Sequence, residues 1–237
     1  MSLLLRIVIT LGMIGVTRPA AASPIVGQID TFEDGTTMGW FVPEPTNPNP
    51  PVNIATGGPG GVADAFLQLT ANGTDGSGGR LSVLNESQWT GDYLAAGIGA
   101  IQMDVNNFGP DDLYLRLLFE DFEGMGPPAN LALTADPIFV PAGSGWTSVT
   151  FNIAPSDLVV DTFGSVLGAL SNVDTLRIFN NPSPAFPGPG VGIPAVTAVL
   201  GVDNITAVAA VPEPATLLLL GGGLAAAIAR TRARSRS

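Results

Sequence analysis

The side chains that could do chemistry in this sequence are carboxylates, because the chain has no cysteine and no histidine. Their absence excludes disulfides, thiolate metal sites, cysteine nucleophiles and any serine–histidine–aspartate triad. It also disfavours zinc and copper. The metal chemistry that the composition still allows is a set of oxygen ligands around Ca²⁺.

Two acidic clusters flank one predicted strand, Leu113–Phe119. Asp111-Asp112 precede it and the run Glu120-Asp121-Phe122-Glu123 follows it. The strand would be about 23 Å long, so one ion cannot bridge the clusters. The second cluster is interpreted as a weak cation site or, alternatively, a solvated loop. Carboxylates about 5–9.5 Å apart could also hydrolyse a glycoside, although chance pairs are expected among 19 acids.

Charge is distributed unevenly along the chain, whose formal net charge is −11. Six of the nine basic residues lie in the first 22 and last 27 residues. Residues 23–210 keep three arginines against 19 acids, a net charge of 3 − 19 = −16. A surface of this sign repels phosphate backbones, so we expect no nucleic-acid partner. It attracts divalent cations, or simply keeps the domain soluble.

Apolar and polar residues alternate in short runs through the middle of the chain. Leu113, Leu115, Leu117 and Phe119 share one face of such a run, opposite Tyr114 and Arg116. This period of two, with Gly- and Pro-rich connections, predicts eight to ten half-buried strands in an all-β, antiparallel two-sheet sandwich. A short helix is expected only within 161–172, and exposed loops at 43–51 and 182–194.

Residues 1–22 have the pattern of a secretory signal peptide. Arg6 precedes a ten-residue apolar run, 7–16, and Ala20-Ala21-Ala22 supplies the small residues of a cleavage site. The run is too short to span a bilayer. We expect signal peptidase to cut before Ser23, with an uncleaved anchor as the alternative.

The last 27 residues form three blocks in a fixed order. These blocks are the tetrad Val211, Pro212, Glu213 and Pro214, the uncharged stretch 215–229, and the arginines Arg230, Arg232, Arg234 and Arg236. As a helix the uncharged stretch would be about 22 Å long, somewhat short of the roughly 30 Å hydrocarbon core. We predict a membrane helix whose arginines stay on the cytoplasmic side.

This order of blocks resembles the PEP-CTERM tails of Gram-negative bacteria that make extracellular polysaccharide. The resemblance implies that an exosortase, a membrane transpeptidase, recognises residues 211–237 and cleaves near the Pro-Glu-Pro motif. It implies an inner-membrane intermediate, followed by release to, or retention at, the cell surface or extracellular matrix. An ordinary tail anchor with a chance Pro-Glu-Pro is the alternative.

The remaining domain, residues 23–210, resembles the jelly-roll sandwiches of carbohydrate-binding modules and galactose-binding-like domains. The cues are Thr31–Gly35 followed by Gly39-Trp40, the run Gly145–Phe151, and the closing segment 201–205. In such sandwiches a structural Ca²⁺ often ties the first strand to the last. The resemblance implies that Glu33, with Asp34, meets Asp203 across that seam. Polar turn and strand-end roles are the alternative.

Aromatic side chains could provide a platform for sugar rings. Of Trp40, Trp89, Tyr93 and Trp146, we prefer Trp89 and Tyr93 because they lie in the segment 87–94 between predicted strands. Core or rim packing is the alternative, since sandwich tryptophans commonly serve that role.

Two functional hypotheses follow from these patterns. The first is a non-catalytic surface or matrix protein whose sandwich adheres to, or binds, extracellular polysaccharide; it needs no cofactor beyond a structural Ca²⁺. The second is a secreted glycosidase or lyase. The first predicts dispersed acids and a flat or aromatic-lined face, whereas the second predicts a cleft with two converging carboxylates, one of them buried with a raised pKa.

Overall fold

The computed structural model describes residues 23–42, 47–75, 78–122, 126–185 and 194–210. The predicted leader, residues 1–22, and the predicted tail, residues 211–237, lie outside the described residues. Within the described ranges, no helix has both the length and the apolar character needed to cross a bilayer.

The described chain is almost entirely β-structure, which confirms the predicted class. Its strands are β1 (Ile29–Asp30), β2 (Trp40–Phe41), β3 (Val52–Ile54), β4 (Phe66–Asn72), β5 (Ser82–Asn85), β6 (Ile98–Asn107), β7 (Leu113–Asp121), β8 (Asn130–Thr134), β9 (Ile138–Val140), β10 (Thr147–Asn152), β11 (Leu158–Val160), β12 (Thr175–Asn180) and β13 (Thr197–Ala209). A 3₁₀ turn (Pro155–Asp157) precedes β11, and one short helix, α1 (Val166–Ser171), lies inside the segment predicted to hold it.

The strands form two antiparallel sheets packed face to face. The first sheet has the order β10-β6-β13-β4-β3, with β1 also paired to β13. The second has the order β11-β8-β7-β12-β5-β2, with β9 also paired to β7. Eight of the twelve consecutive pairs of described strands lie in different sheets, so most of the loops at the ends of the sandwich connect the two layers.

The core forms between the inner faces of the sheets, where the period-two alternation places the apolar side chains. Leu113, Leu115, Leu117 and Phe119 of β7 are all fully buried there. Ile101, Met103 and Val105 of β6 face them from the other sheet. The predicted strand continues two residues further, to Asp121.

Arg116 departs from the expectation that the opposite face of β7 is solvated, because it is only 1% exposed. Its guanidinium donates hydrogen bonds to the backbone carbonyls of Thr134, Ala135, Asn181 and Pro182. Burial lowers its pKa, and the charge of Asp136 raises it. Arg116 therefore fastens the ends of β8 and β12 to β7 from the outer side of the second sheet.

Asp30 joins the two sheets through one carboxylate oxygen. Its Oδ2 accepts hydrogen bonds from Trp40 Nε1 (2.8 Å), Trp89 Nε1 (2.7 Å) and Gln88 Nε2 (3.0 Å). Asp30 belongs to β1 of the first sheet and Trp40 to β2 of the second. Burial raises the Asp30 pKa, and the three hydrogen bonds lower it in part. The bonds thus offset some of the cost of burying a carboxylate.

Replacing Asp30 by Ala is expected to destabilise the fold strongly, by roughly 3–5 kcal/mol. The substitution leaves two indole N–H groups buried without an acceptor, each of which carries a desolvation cost. Urea unfolding followed by tryptophan fluorescence measures the loss. Asp34→Ala is the matched control, because Asp34 bonds only within its own exposed turn to Thr36. Equal midpoints for the two variants would refute a central role for Asp30.

Candidate functional site

The last strand carries a buried acid on the outer face of the first sheet. Asp203 lies between Val202, which faces the core, and a bulge where β13 changes its register on β6. Asn204 has a positive φ of 51° at this bulge, and its backbone N–H donates to Asp203 Oδ1. The other oxygen, Asp203 Oδ2, is buried and has no hydrogen-bond partner. A buried acceptor without a donor is uncommon, and it requires a cause.

Three further acids surround Asp203, and we call the four residues the acidic seam. Asp104 is its direct neighbour on β6, Glu33 follows β1, and Asp64 precedes β4. The pKa of Asp203 is raised to about 7: burial raises it most, the backbone hydrogen bond from Asn204 lowers it, and the charges of Asp64, Asp104 and Glu33 contribute to the rise. The seam therefore concentrates negative potential on one unsatisfied oxygen.

A glycine-rich loop, residues 57–64, holds Asp64 and Glu33 at the acidic seam. The Asp64 carboxylate accepts from the Gly60 N–H, and the Gly58 N–H donates to the Asp64 carbonyl. A Cβ on Gly58 would lie 2.5 Å from Asp64 Oδ2, so a side chain at this position would displace the Asp64 carboxylate. The next residue, Ala65, donates its N–H to Glu33 Oε1 at 2.9 Å.

The predicted cation ligands thus separate into two groups. Glu33 acts electrostatically on Asp203 and raises its pKa. Asp34 bonds instead to the N–H and hydroxyl of Thr36 in an exposed turn. Across the described ranges, no three acidic, histidine or cysteine side chains converge closely enough to hold a metal ion.

An aromatic cluster lies on the same outer face as the acidic seam, and we call it the aromatic platform. It consists of Phe66, Phe108 and Trp146, whose ring centroids are 5.2–6.0 Å apart. Phe108 is 49% exposed, and Trp146 is partly exposed. The rings cover Gly201, where a Cβ would lie 2.7 Å from the Trp146 ring. Glycine at this position lets the rings pack directly on the strand backbone.

The glycine-rich loop links the aromatic platform to the acidic seam. Trp146 Nε1 donates to the Gly57 carbonyl at 3.0 Å, at the start of the loop whose last residue is Asp64. The indole is thereby held by the same backbone segment that supplies a seam carboxylate. Sequence reasoning missed this arrangement, because Trp146 and Gly57 are 89 residues apart.

The prediction that Trp89 and Tyr93 form an exposed sugar-stacking platform is wrong. Both side chains have 0% exposure. Trp89 donates to Asp30, and the Tyr93 hydroxyl donates to the Trp89 carbonyl at 2.8 Å. Both polar tips therefore have partners inside the protein, which makes core packing favourable for these amphipathic rings.

The acidic residues around β7 have structural partners. Glu120 is buried in an ion pair with Arg177 at 3.0 Å; burial raises its pKa and Arg177 lowers it. Asp121 accepts from Asn130 and Asn172. Asp111 and Asp112 accept backbone N–H groups of Thr197 and Ala142. The remaining acid of the second predicted cluster, Glu123, lies outside the described residues.

Comparison with known proteins identifies the end of the chain. Residues 210–234 match the model of the PEP-CTERM protein-sorting motif. The match includes the Pro-Glu-Pro sequence and three of the four final arginines, Arg230, Arg232 and Arg234. The chain therefore carries a protein-sorting motif, which indicates an exported protein. No curated protein sequence matches the chain significantly.

Comparison with solved structures establishes the fold of the domain. A family 11 carbohydrate-binding module from Clostridium thermocellum, in complex with a β-1,3-1,4-mixed-linked tetrasaccharide, is 14% identical with a TM-score of 0.50, over 79% of this chain and 99% of that chain. An exo-β-agarase is 12% identical with a TM-score of 0.53, over 79% of this chain and 25% of the enzyme. The domain thus has the sandwich fold of carbohydrate-binding modules, as its sequence predicted.

Without divalent cations, the stability of the domain is expected to fall as the pH rises from about 4 to about 7. The folded-state pKa of Asp203 is about 7 and its ordinary value is 3.8. Over this interval the folded protein keeps a proton that the unfolded chain releases, so a higher pH favours unfolding. Urea unfolding free energies in chelator, measured across this range, test the sign.

Asp203→Asn removes this contribution, because the amide does not titrate. The variant should show a shallower fall, with the residual slope due to Asp30 and Glu120, whose pKa values are also raised. An identical pH dependence in the variant and the parent would contradict the assignment.

Proposed function

We propose that this chain is an exported, non-catalytic glycan-binding protein that contacts extracellular polysaccharide through the aromatic platform. The observation that carries the proposal is the Trp146–Phe108 surface, where two partly exposed rings lie over Gly201 on the outer face of a sheet. Aromatic faces combine a large apolar area with few rotatable bonds, which suits them to the C–H-rich face of a sugar ring.

Polar side chains beside the platform supply the second requirement for sugar binding, which is hydrogen bonding to hydroxyl groups. Gln68 and Asn106 are the neighbours of Gly201 on the two adjacent strands. Further along the same face, exposed Gln102 donates to the exposed Ser148 hydroxyl at 3.1 Å. Apolar stacking with a few polar groups that fix orientation is the usual composition of a small-molecule site.

We also propose a structural cation at the acidic seam. Among the described residues no three acids converge there, so two carboxylates would hold it and backbone carbonyl and water oxygens would complete the ligand set. Asp203 Oδ2 is a buried carboxylate oxygen with no donor, next to Glu33 and two further acids. A hard cation such as Ca²⁺ accepts oxygen ligands and would neutralise this potential. Asp203 and Glu33 would hold it, and the loop that carries Asp64 would transmit its effect to Trp146.

Positions of the acids argue against a hydrolytic site. Among the described residues, the buried acids with raised pKa values are Asp30, Glu120 and Asp203. Asp30 is bonded to indoles, Glu120 is paired with Arg177, and Asp203 lies opposite Asp104 where β13 changes register on β6. A glycosidase needs its protonated acid in an open cleft beside a second carboxylate, and none of the three has that setting.

The ends of the chain provide the route to the polysaccharide. In our proposal, signal peptidase removes residues 1–22 and the tail holds the protein at the inner membrane of a Gram-negative cell. An exosortase then cleaves near Pro212-Glu213-Pro214 and delivers residues 23–210 to the surface or matrix. The motif match at 210–234 supports this route.

Removing the platform indole should weaken polysaccharide binding. Trp146→Ala is expected to lower the affinity for soluble β-1,3-1,4-mixed-linked glucan at least about tenfold, which corresponds to about 1.4 kcal/mol. Gly201→Ala should act in the same direction, because a Cβ there displaces the ring. Affinity electrophoresis and calorimetry measure the change, and a glycan array extends it to other polysaccharides.

The control for this experiment is Phe139→Ala. Phe139 is 52% exposed and stacks on Tyr114 over the second sheet, so the substitution removes an exposed ring away from the platform. Binding that is lost equally in the Phe139 and Trp146 variants, or that is unaffected by Trp146→Ala, would refute the platform. Absence of binding to every glycan, with and without Ca²⁺, would refute the function itself.

The cation is tested by repeating the urea unfolding across the same pH range with Ca²⁺ in the buffer instead of the chelator. Binding to the folded state adds stability by mass action, and neutralised seam carboxylates should no longer penalise folding near pH 7. The parent should therefore lose the part of its pH-dependent fall that Asp203 causes and keep the part due to Asp30 and Glu120, whereas Asp203→Asn should not respond to Ca²⁺. An equal response of both proteins would exclude Asp203 as a ligand.

Processing is tested on the mature protein isolated from its host. Mass spectrometry should find a chain that begins at Ser23 and ends close to the Pro-Glu-Pro motif. Replacing Pro212 and Glu213 by alanine should leave the tail attached and the protein in the membrane fraction. A mature chain that still carries residues 215–237 would contradict exosortase cleavage.

A further inference from the structure

A cavity that none of the platform residues lines lies at an edge of the sandwich, and we call it the edge cavity. Residues 134–138 and 156–157 line it from the second-sheet side, and residues 150–152 of β10 line it from the first. Its volume is about 210 Å³, room for about seven waters at about 30 Å³ each. This is enough for one sugar ring with its hydroxyl groups.

The walls of the edge cavity are held rigidly by hydrogen bonds. The Arg116 guanidinium donates hydrogen bonds to the carbonyls of Thr134 and Ala135. The Ala135 N–H donates to the Asp157 carbonyl at 2.9 Å, which joins the two segments of the second-sheet wall. Pro155 begins the 3₁₀ turn, and Pro137 follows Asp136 in the other segment. A cavity preformed in this way binds with less loss of conformational entropy.

The lining of the edge cavity is apolar at the base and polar at the rim. Phe151 is 2% exposed and Ile138 is partly buried, so both present apolar surface at the base. Around them, Asp136, Asn152 and Ser156 are exposed and Asp157 is half-buried. The rim offers carboxylate, amide and hydroxyl groups, whose donors and acceptors match those of adjacent sugar hydroxyls.

The edge strand adds backbone groups to this rim. Among the described strands, β10 is the last in the order of the first sheet, and it pairs only with β6. An edge strand presents unpaired N–H and C=O groups along its free side. Two residues of this strand, Thr150 and Asn152, line the cavity.

We propose that the edge cavity binds a single pyranose residue without an acidic group, as the end or a side branch of a polysaccharide chain. Its size admits one ring, and its apolar base and polar rim suit the two sides of a pyranose. Asp136 and Asp157 accept hydrogen bonds from hydroxyls and repel uronate or sulfated sugars. The site shares no residue with the aromatic platform, so it does not depend on the function proposed for that surface.

Saturation-transfer NMR with monosaccharides tests the site on the purified protein. The probes are methyl β-glucoside, methyl β-galactoside and N-acetylglucosamine, with methyl β-glucuronide as the acidic counterpart. We expect at least one of the first three to bind and the glucuronide to bind at least about tenfold more weakly. Binding of none of them, or equal binding of the glucuronide, would overturn the proposal.

Variants locate the bound sugar. Asp136→Asn combined with Asp157→Asn should weaken binding about tenfold, and Ser156→Trp should block the cavity from an exposed position. Asp75→Asn removes one charge from an exposed loop elsewhere and should leave binding unchanged. Retained binding in the Ser156→Trp variant would overturn the proposal even if the double variant proved unstable.

The two sugar-binding proposals fail separately. Loss of polysaccharide binding in Trp146→Ala with intact monosaccharide binding supports both sites. Monosaccharide binding that disappears in Trp146→Ala and persists in Ser156→Trp would assign the sugar to the platform and overturn the edge cavity. Release of reducing sugar from a polysaccharide, lost in the Asp136–Asp157 double variant, would replace binding at this site by hydrolysis.

Discussion

One carboxylate holds the beginning of this sandwich together. Asp30 accepts two indole N–H groups and an amide N–H from two other segments of the chain, all at a single oxygen. It thereby connects the first strand of one sheet to the second sheet and to the segment around Trp89. Because β1 pairs with β13, the same strand also positions Glu33 beside the last strand. The acidic seam and the loop above it depend on this placement.

Local patterns predicted the strands well because a strand's two faces are determined by its immediate neighbours in sequence. The alternation in Leu113–Phe119 predicts only that one face of the strand packs against another layer of the protein. In the structure that layer is the first sheet, against which the apolar face of β7 is buried. The short helix lies inside the predicted range 161–172 and is also stabilised locally. The Ser165 side chain accepts a hydrogen bond from the Gly168 N–H and caps the N-terminus of α1. Which strands lie beside each other depends on long-range pairing, for which the chain has no local signal.

The sites were harder to predict, since each depends on partners far apart in the chain. Trp89 and Trp146 look alike in sequence, yet one finds a buried acceptor 59 residues away and the other a loop carbonyl 89 residues away. The two distant partners determine which indole becomes core and which stays at the surface. Likewise, Asp203 and Glu33 followed from a family resemblance, whereas Asp64 and Asp104 join the seam through pairing and loop closure.

Electrostatics limits the glycans that such a surface can bind. Residues 23–210 contain three arginines and 19 acids. Two of those arginines have partners inside the protein: Arg116 donates to backbone carbonyls, and Arg177 forms an ion pair with Glu120. Four acids are buried as well, Asp30, Glu120, Asp121 and Asp203. The remaining exposed acids keep the surface strongly negative, and it repels polyanionic chains over about a Debye length, roughly 8 Å at physiological ionic strength. Neutral glycans escape this repulsion. Stacking on Trp146 and hydrogen bonding in the edge cavity are interactions that need no positive charge, which makes them the physically consistent means of binding for a domain of this composition.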